Sequence, residues 1–318
     1  MIDSFGRKIE YMRISVTDRC NLRCRYCMPN GIEKIPMSKL LTYEEILKTA
    51  EAGTELGINR FKVTGGEPLV RRGVVSLIKG LKDIPGTEQV TMTTNGELLG
   101  EYLEGLLDAG LDAVNVSLDS IDPERYREIT GGGDIDKVLK SIEAASETDL
   151  KVKLNSVLHK DTGRKDIIDI VSYSLNHSLD LRFIEMMPIG FGVFWQGMDI
   201  AQAKNIIEDE FGTLKPTEDK LGNGPAKYYS IGNNDRIRIG FIGALSGMFC
   251  ENCNRVRLSS QGMLRPCLCY PEGTDLKPYL KGDRDGLKEA IRSTVLGKPE
   301  RHCFSEKATP DNMISIGG

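Results

Sequence analysis

Cys20, Cys24 and Cys27 are spaced Cys-x3-Cys-x2-Cys, with no histidine nearby. A structural zinc site normally closes its tetrahedron with four ligands, often as two paired cysteine knuckles. Three thiolates in this spacing instead suit a 4Fe-4S cluster in which one iron lacks a protein ligand. That iron can be chelated by the amino and carboxylate groups of S-adenosylmethionine, which brings the sulfonium beside the cluster. An electron passed to the sulfonium releases a 5′-deoxyadenosyl radical, a species that must be kept from solvent. Tyr26, just before the third cysteine, offers a ring that can pack on the adenine. The plainer alternative is three buried cysteines or a zinc knuckle.

Gly65-Gly66-Glu67-Pro68 follows about 40 residues later. Paired glycines let a backbone approach a ligand closely, here the S-adenosylmethionine ammonium. A turn is the simpler reading of those glycines alone. Four more cysteines stand at Cys250, Cys253, Cys267 and Cys269, with Cys303 apart. Cys250-x2-Cys253-x13-Cys267 supplies another three thiolates, and Cys269 would complete a zinc ribbon if it were the fourth. Arg255 and Arg257 alternate along a predicted strand beside this knuckle, so both point to one face. Two guanidiniums there fit a polyphosphate, against the alternative of solvated surface arginines. Arg13, Lys62 and Lys153 lie on other predicted strands and can complete the basic group, since lysines inside such strands are poorly explained as surface decoration.

These residues need a scaffold, and the chain predicts one. Runs at Met12–Ser15, Arg60–Thr64, Gln89–Thr93, Ala113–Leu118, Val152–Leu158 and Asp180–Ile184 read as strands. Between them lie helical patterns at Tyr43–Leu56, Val74–Lys82, Tyr102–Ala109, Asp134–Glu147 and Lys165–Asn176, with Ile200–Phe211 after the last. Strands separated by such helices imply right-handed crossovers and a parallel sheet, either open or most of a barrel. Chemistry then belongs at the C-terminal strand ends. Cys20–Cys27, Gly65–Pro68, Thr94-Asn95-Gly96, Ser117 with Asp119, and Glu185–Pro188 all fall there. From about residue 212 the rhythm changes to turn pairs, short strands at Tyr228–Ile231 and Arg236–Phe241, and a hairpin turning at Gly262. A last helix is predicted over Asp285–Val295, and from Lys298 a polar, loose tail ending Gly317-Gly318. The expected division is 1–211 and 212–318.

Composition limits the partners. A net charge of -4 over 318 residues argues against a nucleic-acid binder working by bulk electrostatics. No apolar run approaches the ~20 residues of a membrane span, and no basic-then-apolar leader opens the chain. The expected compartment is the cytoplasm, where eight cysteines favour metal binding over disulfides.

The segments Arg13–Cys24, Thr64–Leu69, Thr93–Gly96, Asn115–Asp119, Leu181–Glu185 and Phe249–Leu258, with the terminal Gly317-Gly318, together resemble the GTP 3′,8-cyclase (molybdenum cofactor biosynthesis protein A) family of the radical S-adenosylmethionine superfamily. The resemblance covers nearly the whole chain. It implies an α/β fold, an incomplete (β/α)6 TIM-type barrel closed by a C-terminal region carrying a second Fe-S cluster. It implies two 4Fe-4S clusters, on Cys20, Cys24 and Cys27 and on Cys250, Cys253 and Cys267. It further implies S-adenosylmethionine against Tyr26, Gly66, Ser117 and Met187, and GTP held by Arg13, Lys62, Thr93, Lys153, Arg255 and Arg257. The implied reaction forms 3′,8-cyclo-7,8-dihydroguanosine 5′-triphosphate, with Gly317 and Gly318 acting catalytically from a tail inserted in the site. Implied partners are a reductant protein and the downstream cyclic pyranopterin monophosphate synthase; a homodimer is left open. The competing readings are a peptide-modifying maturase with an auxiliary cluster and a non-catalytic electron carrier or zinc-ribbon module.

Overall fold

Six of the β-branched runs become neighbouring parallel strands: β1 (Tyr11–Ser15), β2 (Arg60–Thr64), β3 (Gln89–Thr94), β4 (Ala113–Ser117), β5 (Lys151–Leu158) and β6 (Asp180–Glu185). The computed structural model describes residues 1–31, 35–219, 221–232 and 234–304. The crossovers contain α1 (Tyr43–Glu55), α2 (Val74–Asp83), α3 (Leu99–Asp108), α4 (Pro123–Thr130), α5 (Ile135–Ser146) and α6 (Arg164–Asn176), and α7 (Ile200–Phe211) follows β6. Local signals explain the boundaries. At α1 the Thr42 hydroxyl accepts from Glu45 N–H while the Glu45 carboxylate accepts from Thr42 N–H, a reciprocal cap.

Two helices of these βα units depart from the sequence-based expectation. α3 begins at Leu99 rather than Tyr102, because Ser141 Oγ accepts from Gly100 N–H and supports a first turn that lacks a side-chain cap. α4 was not predicted at all, although Asp122 caps it, proline stands in its first turn and left-handed Gly131 ends it. Its eight residues are too few to display a period.

The later residues add to both edges of the same sheet. β7 (Leu214–Pro216), β8 (Lys227–Ile231) and β9 (Asn234–Ile242) extend it beyond β6, with β9 parallel to β6 and the rest antiparallel. β10 (Arg255–Leu258) runs parallel to β1, followed antiparallel by β11 (Met263–Arg265) and β12 (Thr274–Asp275). The order is β12-β11-β10-β1-β2-β3-β4-β5-β6-β9-β8-β7. The β10–β11 turn falls at Gly262, whose φ of +95° suits glycine. α8 (Lys277–Leu280) and α9 (Arg284–Leu296) follow. The architecture is α/β, with a partial, barrel-like parallel sheet.

Period-two alternation sorts the strand residues into two faces. Met12, Ile14, Phe61, Val63, Val90, Met92, Val114, Val116, Leu154, Leu181 and Phe183 are fully buried in the apolar core with the helices. Their neighbours Arg13, Lys62, Thr91, Thr93, Asn115, Ser117, Lys153, Asn155 and Arg182 line the inner cavity instead. No helix among the described residues is long and apolar enough to cross a membrane.

The predicted loose tail needs correction for its first residues. Lys298 is 3% exposed, and its ammonium donates to the carbonyls of Arg255 and Pro266. Arg7 takes the carbonyls of Pro299 and Glu300. Buried carbonyls demand donors, and these two cations meet that demand. Gly317 and Gly318 lie outside the described residues.

Candidate active site

The inner face of the sheet encloses a cavity of about 740 Å³ lined by both cysteine triplets. The first triplet follows the C-terminal end of β1, and a turn binds it, with Cys27 N–H and Met28 N–H both donating to the Cys24 carbonyl. Arg23 closes the loop by donating to the carbonyls of Cys20 and Leu22. The Cys20 sulfur accepts from Leu22 N–H at 3.4 Å and Asn95 Nδ2 at 3.8 Å. Burial pushes Cys20 up to about 11 and Cys27 up to about 12. Burial, then the neighbouring Cys27, raises Cys24 well above its ordinary value. Such thiols ionise when a metal takes the proton's place.

The paired glycines also serve a contact within the chain itself. A Cβ on Gly65 would stand 2.5 Å from the Thr17 carbonyl oxygen, and one on Gly66 would stand 2.3 Å from that of Arg19. Gly66 N–H and Glu67 N–H donate to these same carbonyls. The glycines therefore let the chain entering the first triplet lie flat on the loop after β2, while both still face the cavity. Glu67, fully buried, accepts from Leu69 N–H, the Thr94 hydroxyl and Asn95 N–H, joining the loops after β2 and β3. Burial pushes its carboxyl up to about 7.

Tyr26 is fixed by its hydroxyl, which donates to Asp119 Oδ2 at 2.5 Å, and its ring stacks on His159 at 5.8 Å. Asp119 in turn accepts from Val157 N–H at 2.8 Å. Ser117 at the end of β4 and Met187 after β6 face the same space. Glu185 holds the chain leading to the second triplet, accepting from Leu245 N–H and Ser246 N–H.

The second triplet flanks the N-terminal end of β10, the strand paired with β1. The two triplets are thus offset along the strand direction by about the length of β1, roughly 16 Å for five residues at ~3.3 Å each. Cys250, Cys253 and Cys267 line the cavity and Cys269 does not. Cys269 sits in a small apolar cluster with its sulfur 2.8 Å from that of Cys303. That placement turns Cys269 away from the cavity that Cys250, Cys253 and Cys267 share. Burial alone would raise the Cys253 thiol, yet Arg255 and Lys298 outweigh it and hold it below its ordinary value. Two sets of three thiols around one cavity match the ligand count of two Fe-S clusters.

Between the triplets runs a basic wall. Register places Arg257, Arg13 and Lys62 side by side on β10, β1 and β2. Asn115 on β4 pairs with Thr93 on β3 and Lys153 on β5, and Arg182 Nη2 donates to Asn115 Oδ1 at 2.6 Å. The cavity lining holds nine lysines and arginines against the two carboxylates of Asp180 and Glu185, on a chain whose net charge is negative. The cost of this crowding is visible. Burial, then Arg182, Arg13 and Lys153, holds Lys62 well below its ordinary value. Burial, followed by Arg13 and Arg255, does the same to Arg257. Among the described residues, buried Nε of Arg182, Nε of Arg255 and Oδ1 of Asn155 find no hydrogen-bond partner. Such a wall favours a multiply charged anion.

The sequence reading missed Arg182, Asn115, Asn155, Lys298 and His302 as cavity-lining residues. For the first three the signal existed: each stands on the polar phase of a strand whose other phase is apolar. For Lys298 and His302 there was none.

Comparison with known families and proteins agrees with this geometry. A family model described as the radical SAM superfamily matches residues 14–173, and one for molybdenum cofactor synthesis C matches residues 179–304. A Clostridium perfringens protein named GTP 3′,8-cyclase is 42% identical over the full length of both chains. One of the same name from Alkaliphilus oremlandii is also 42% identical, again over both full lengths. Among solved structures, Streptococcus suis SuiB bound to the precursor peptide SuiA aligns with a TM-score of 0.63 at 16% identity, covering 96% of this chain and 75% of that one. At that identity the likeness is one of fold.

Proposed function

The chain belongs to the GTP 3′,8-cyclase family of the radical S-adenosylmethionine superfamily, and from that premise we infer how its residues serve the reaction. It is a lyase that cyclises GTP to 3′,8-cyclo-7,8-dihydroguanosine 5′-triphosphate in molybdenum cofactor biosynthesis, using S-adenosylmethionine and Fe-S clusters. The observation that carries the assignment of parts is one cavity with a cysteine triplet at each end of a basic wall.

Cys20, Cys24 and Cys27 hold the first 4Fe-4S cluster in this reading, and Cys250, Cys253 and Cys267 the second. Bound there, the first cluster and S-adenosylmethionine supply the one-electron chemistry that begins with hydrogen abstraction from GTP. Tyr26, Gly66, Ser117 and Met187 line the S-adenosylmethionine side, and the Asp119 bond fixes the angle of the Tyr26 ring. Arg13, Lys62, Arg255 and Arg257, with Thr93 and Lys153, hold GTP. Their charge and fork geometry fit a triphosphate. Ring closure needs the 3′ carbon and C8 held close, so anchoring both ends of the nucleotide is these residues' main contribution. Enclosure by the sheet excludes water from the radical. We place the barrel in residues 1–211 and the closing region in 212–318, with Gly317 and Gly318 entering the site. A cytoplasmic reductant protein and the downstream cyclic pyranopterin monophosphate synthase complete the proposal.

The test is anaerobic incubation with GTP, S-adenosylmethionine and a reductant, followed by mass spectrometry. Cyclised dihydro-GTP with 5′-deoxyadenosine is the expected outcome. Deoxyadenosine formed while GTP is recovered intact would favour a peptide-modifying maturase.

A further inference from the structure

We propose that residues 298–303 form a strap across the second cysteine site, with Lys298 and Arg7 as positioning residues that fasten it. The inference rests on the reading that Cys250, Cys253 and Cys267 hold a cluster.

Each ligand-bearing stretch is tied to the strap. Lys298 Nζ donates to the Arg255 carbonyl at 2.9 Å and to the Pro266 carbonyl. One ammonium therefore bridges the chain just after Cys253 to the chain just before Cys267. Arg7 reaches the third stretch, since its Nη1 donates to the Cys250 carbonyl at 3.0 Å and to the Glu300 carbonyl at 2.7 Å. Its Nη2 donates to the Pro299 carbonyl at 2.7 Å. Asp3 orients that guanidinium, with Oδ2 accepting from Arg7 Nε at 2.6 Å and Oδ1 from the backbone N–H of Arg7 and Phe5. The strap adds bonds of its own: His302 N–H donates to the Cys250 sulfur and Cys303 N–H to that of Cys269.

Both fasteners are nearly inaccessible to water, Lys298 at 3% exposure and Arg7 at 7%. Charged side chains are placed so only where they are fully used. Here they supply donors to five backbone carbonyls, those of Cys250, Arg255, Pro266, Pro299 and Glu300. They also connect three parts of the chain far apart in sequence: the N-terminal turn, the knuckle and the root of the C-terminal segment. The same bonds fix the cysteines and the strap, so ordering either one favours the other, and the coupling is reciprocal. The strap also turns His302 toward the cavity, where its buried Nε2 has no hydrogen-bond partner among the described residues.

The test uses the full chain with Lys298→Met, Arg7→Gln and the conservative Arg7→Lys, which keeps charge but not the fork. The first readout is tryptic cleavage of the Arg301–His302 bond in metal-free protein, followed by mass spectrometry. Lys298→Met and Arg7→Gln should speed it about tenfold, and Arg7→Lys by less. The second readout is iron and sulfide per chain after anaerobic reconstitution, which should fall from two clusters toward one. Deoxyadenosine formation from S-adenosylmethionine alone reports that the first site and the fold persist. A variant-free arm compares the wild type with and without clusters, where loading should slow the same cleavage about tenfold. Wild-type cleavage rates and full iron in both variants, or no effect of loading, would overturn the strap. A wild type that binds one cluster would overturn the second-cluster reading, while the metal-free cleavage would still judge the strap.

Discussion

Lys153 donates its ammonium to the Leu221 carbonyl at 2.6 Å. A cation of the barrel wall thereby holds the loop around Asn223, whose amide also meets Gln89 and Arg60 at the starts of β3 and β2. Burial, then the charge of Arg182, pushes Lys153 down to about 8 from its ordinary 10.5. The folded protein therefore penalises the charged form. That penalty on stability is fully present below pH 8 and is relieved as pH rises from 8 toward 10.5. Binding has the opposite sense, because phosphate needs the ammonium. The KM for GTP should rise as pH passes about 8, and Lys153→Arg, charged throughout, should flatten that limb. Parallel KM profiles for the two enzymes from about pH 7 to 9.5 would remove Lys153 from the phosphate site.

Replacing Cys20, Cys24 or Cys27 with alanine should abolish 5′-deoxyadenosine formation, since each is one of only three thiolates in the first group. Product chromatography decides it. Wild-type deoxyadenosine in any of the three variants would contradict the assignment.

The second group should behave differently. Alanine at Cys250, Cys253 or Cys267 should impair GTP binding and cyclisation more than uncoupled S-adenosylmethionine cleavage. Cys269→Ala should retain both clusters, because its sulfur is turned to Cys303 and away from the cavity. Its cost should be stability alone, about 1 kcal/mol by denaturant titration. Iron lost from Cys269→Ala, or equal loss of both activities in the others, would redraw the site.

Arg255→Ala and Arg257→Ala should each weaken GTP binding by about 1.5–3 kcal/mol, roughly 10- to 150-fold. Both line the cavity, and Arg257 stands beside Arg13 in register. Guanosine, which carries no phosphates, should lose little affinity. Calorimetric titration of both ligands separates phosphate recognition from general damage, and unchanged GTP affinity would return the arginines to a structural role.

Deleting Gly317 and Gly318 should leave both clusters and GTP binding in place while strongly reducing cyclisation. Two glycines can thread a narrow cavity where any side chain would clash, and the chain enters the described cavity wall as late as Phe304. A peptide copying about the last ten residues of this sequence should partly restore turnover when added in trans. Full activity in the truncated enzyme would return the tail to an inert end.

Much of the site was legible because its chemistry depends on close sequence spacing. Cys20, Cys24 and Cys27 fall within one turn-sized loop, and their pattern survives folding unchanged. The strand phases were legible for a related reason: alternation along β1, β2 and β5 already separates Met12 from Arg13, Phe61 from Lys62 and Val152 from Lys153. Arg182 obeys the same rule, and its neighbours Leu181 and Phe183 mark it as inward-facing. Short helices such as Pro123–Thr130 were harder, because eight residues hold about two turns and too little periodicity to read.

The amino-acid order alone therefore determined the two thiolate triplets, the parallel βα rhythm and the basic character of the inner strand face, all set by local spacing and backbone period. Tertiary structure decided that Cys269 faces Cys303 rather than the cavity, why Gly65 and Gly66 must be glycine, and that residues 298–304 are anchored. Each of these depends on contacts between segments far apart in the chain: Cys269 with Cys303, Gly66 with Arg19, Arg7 with Pro299 and Glu300. A sulfur's direction and a carbonyl's donor follow from where strands β1 and β10 come to lie side by side, and no local propensity encodes that.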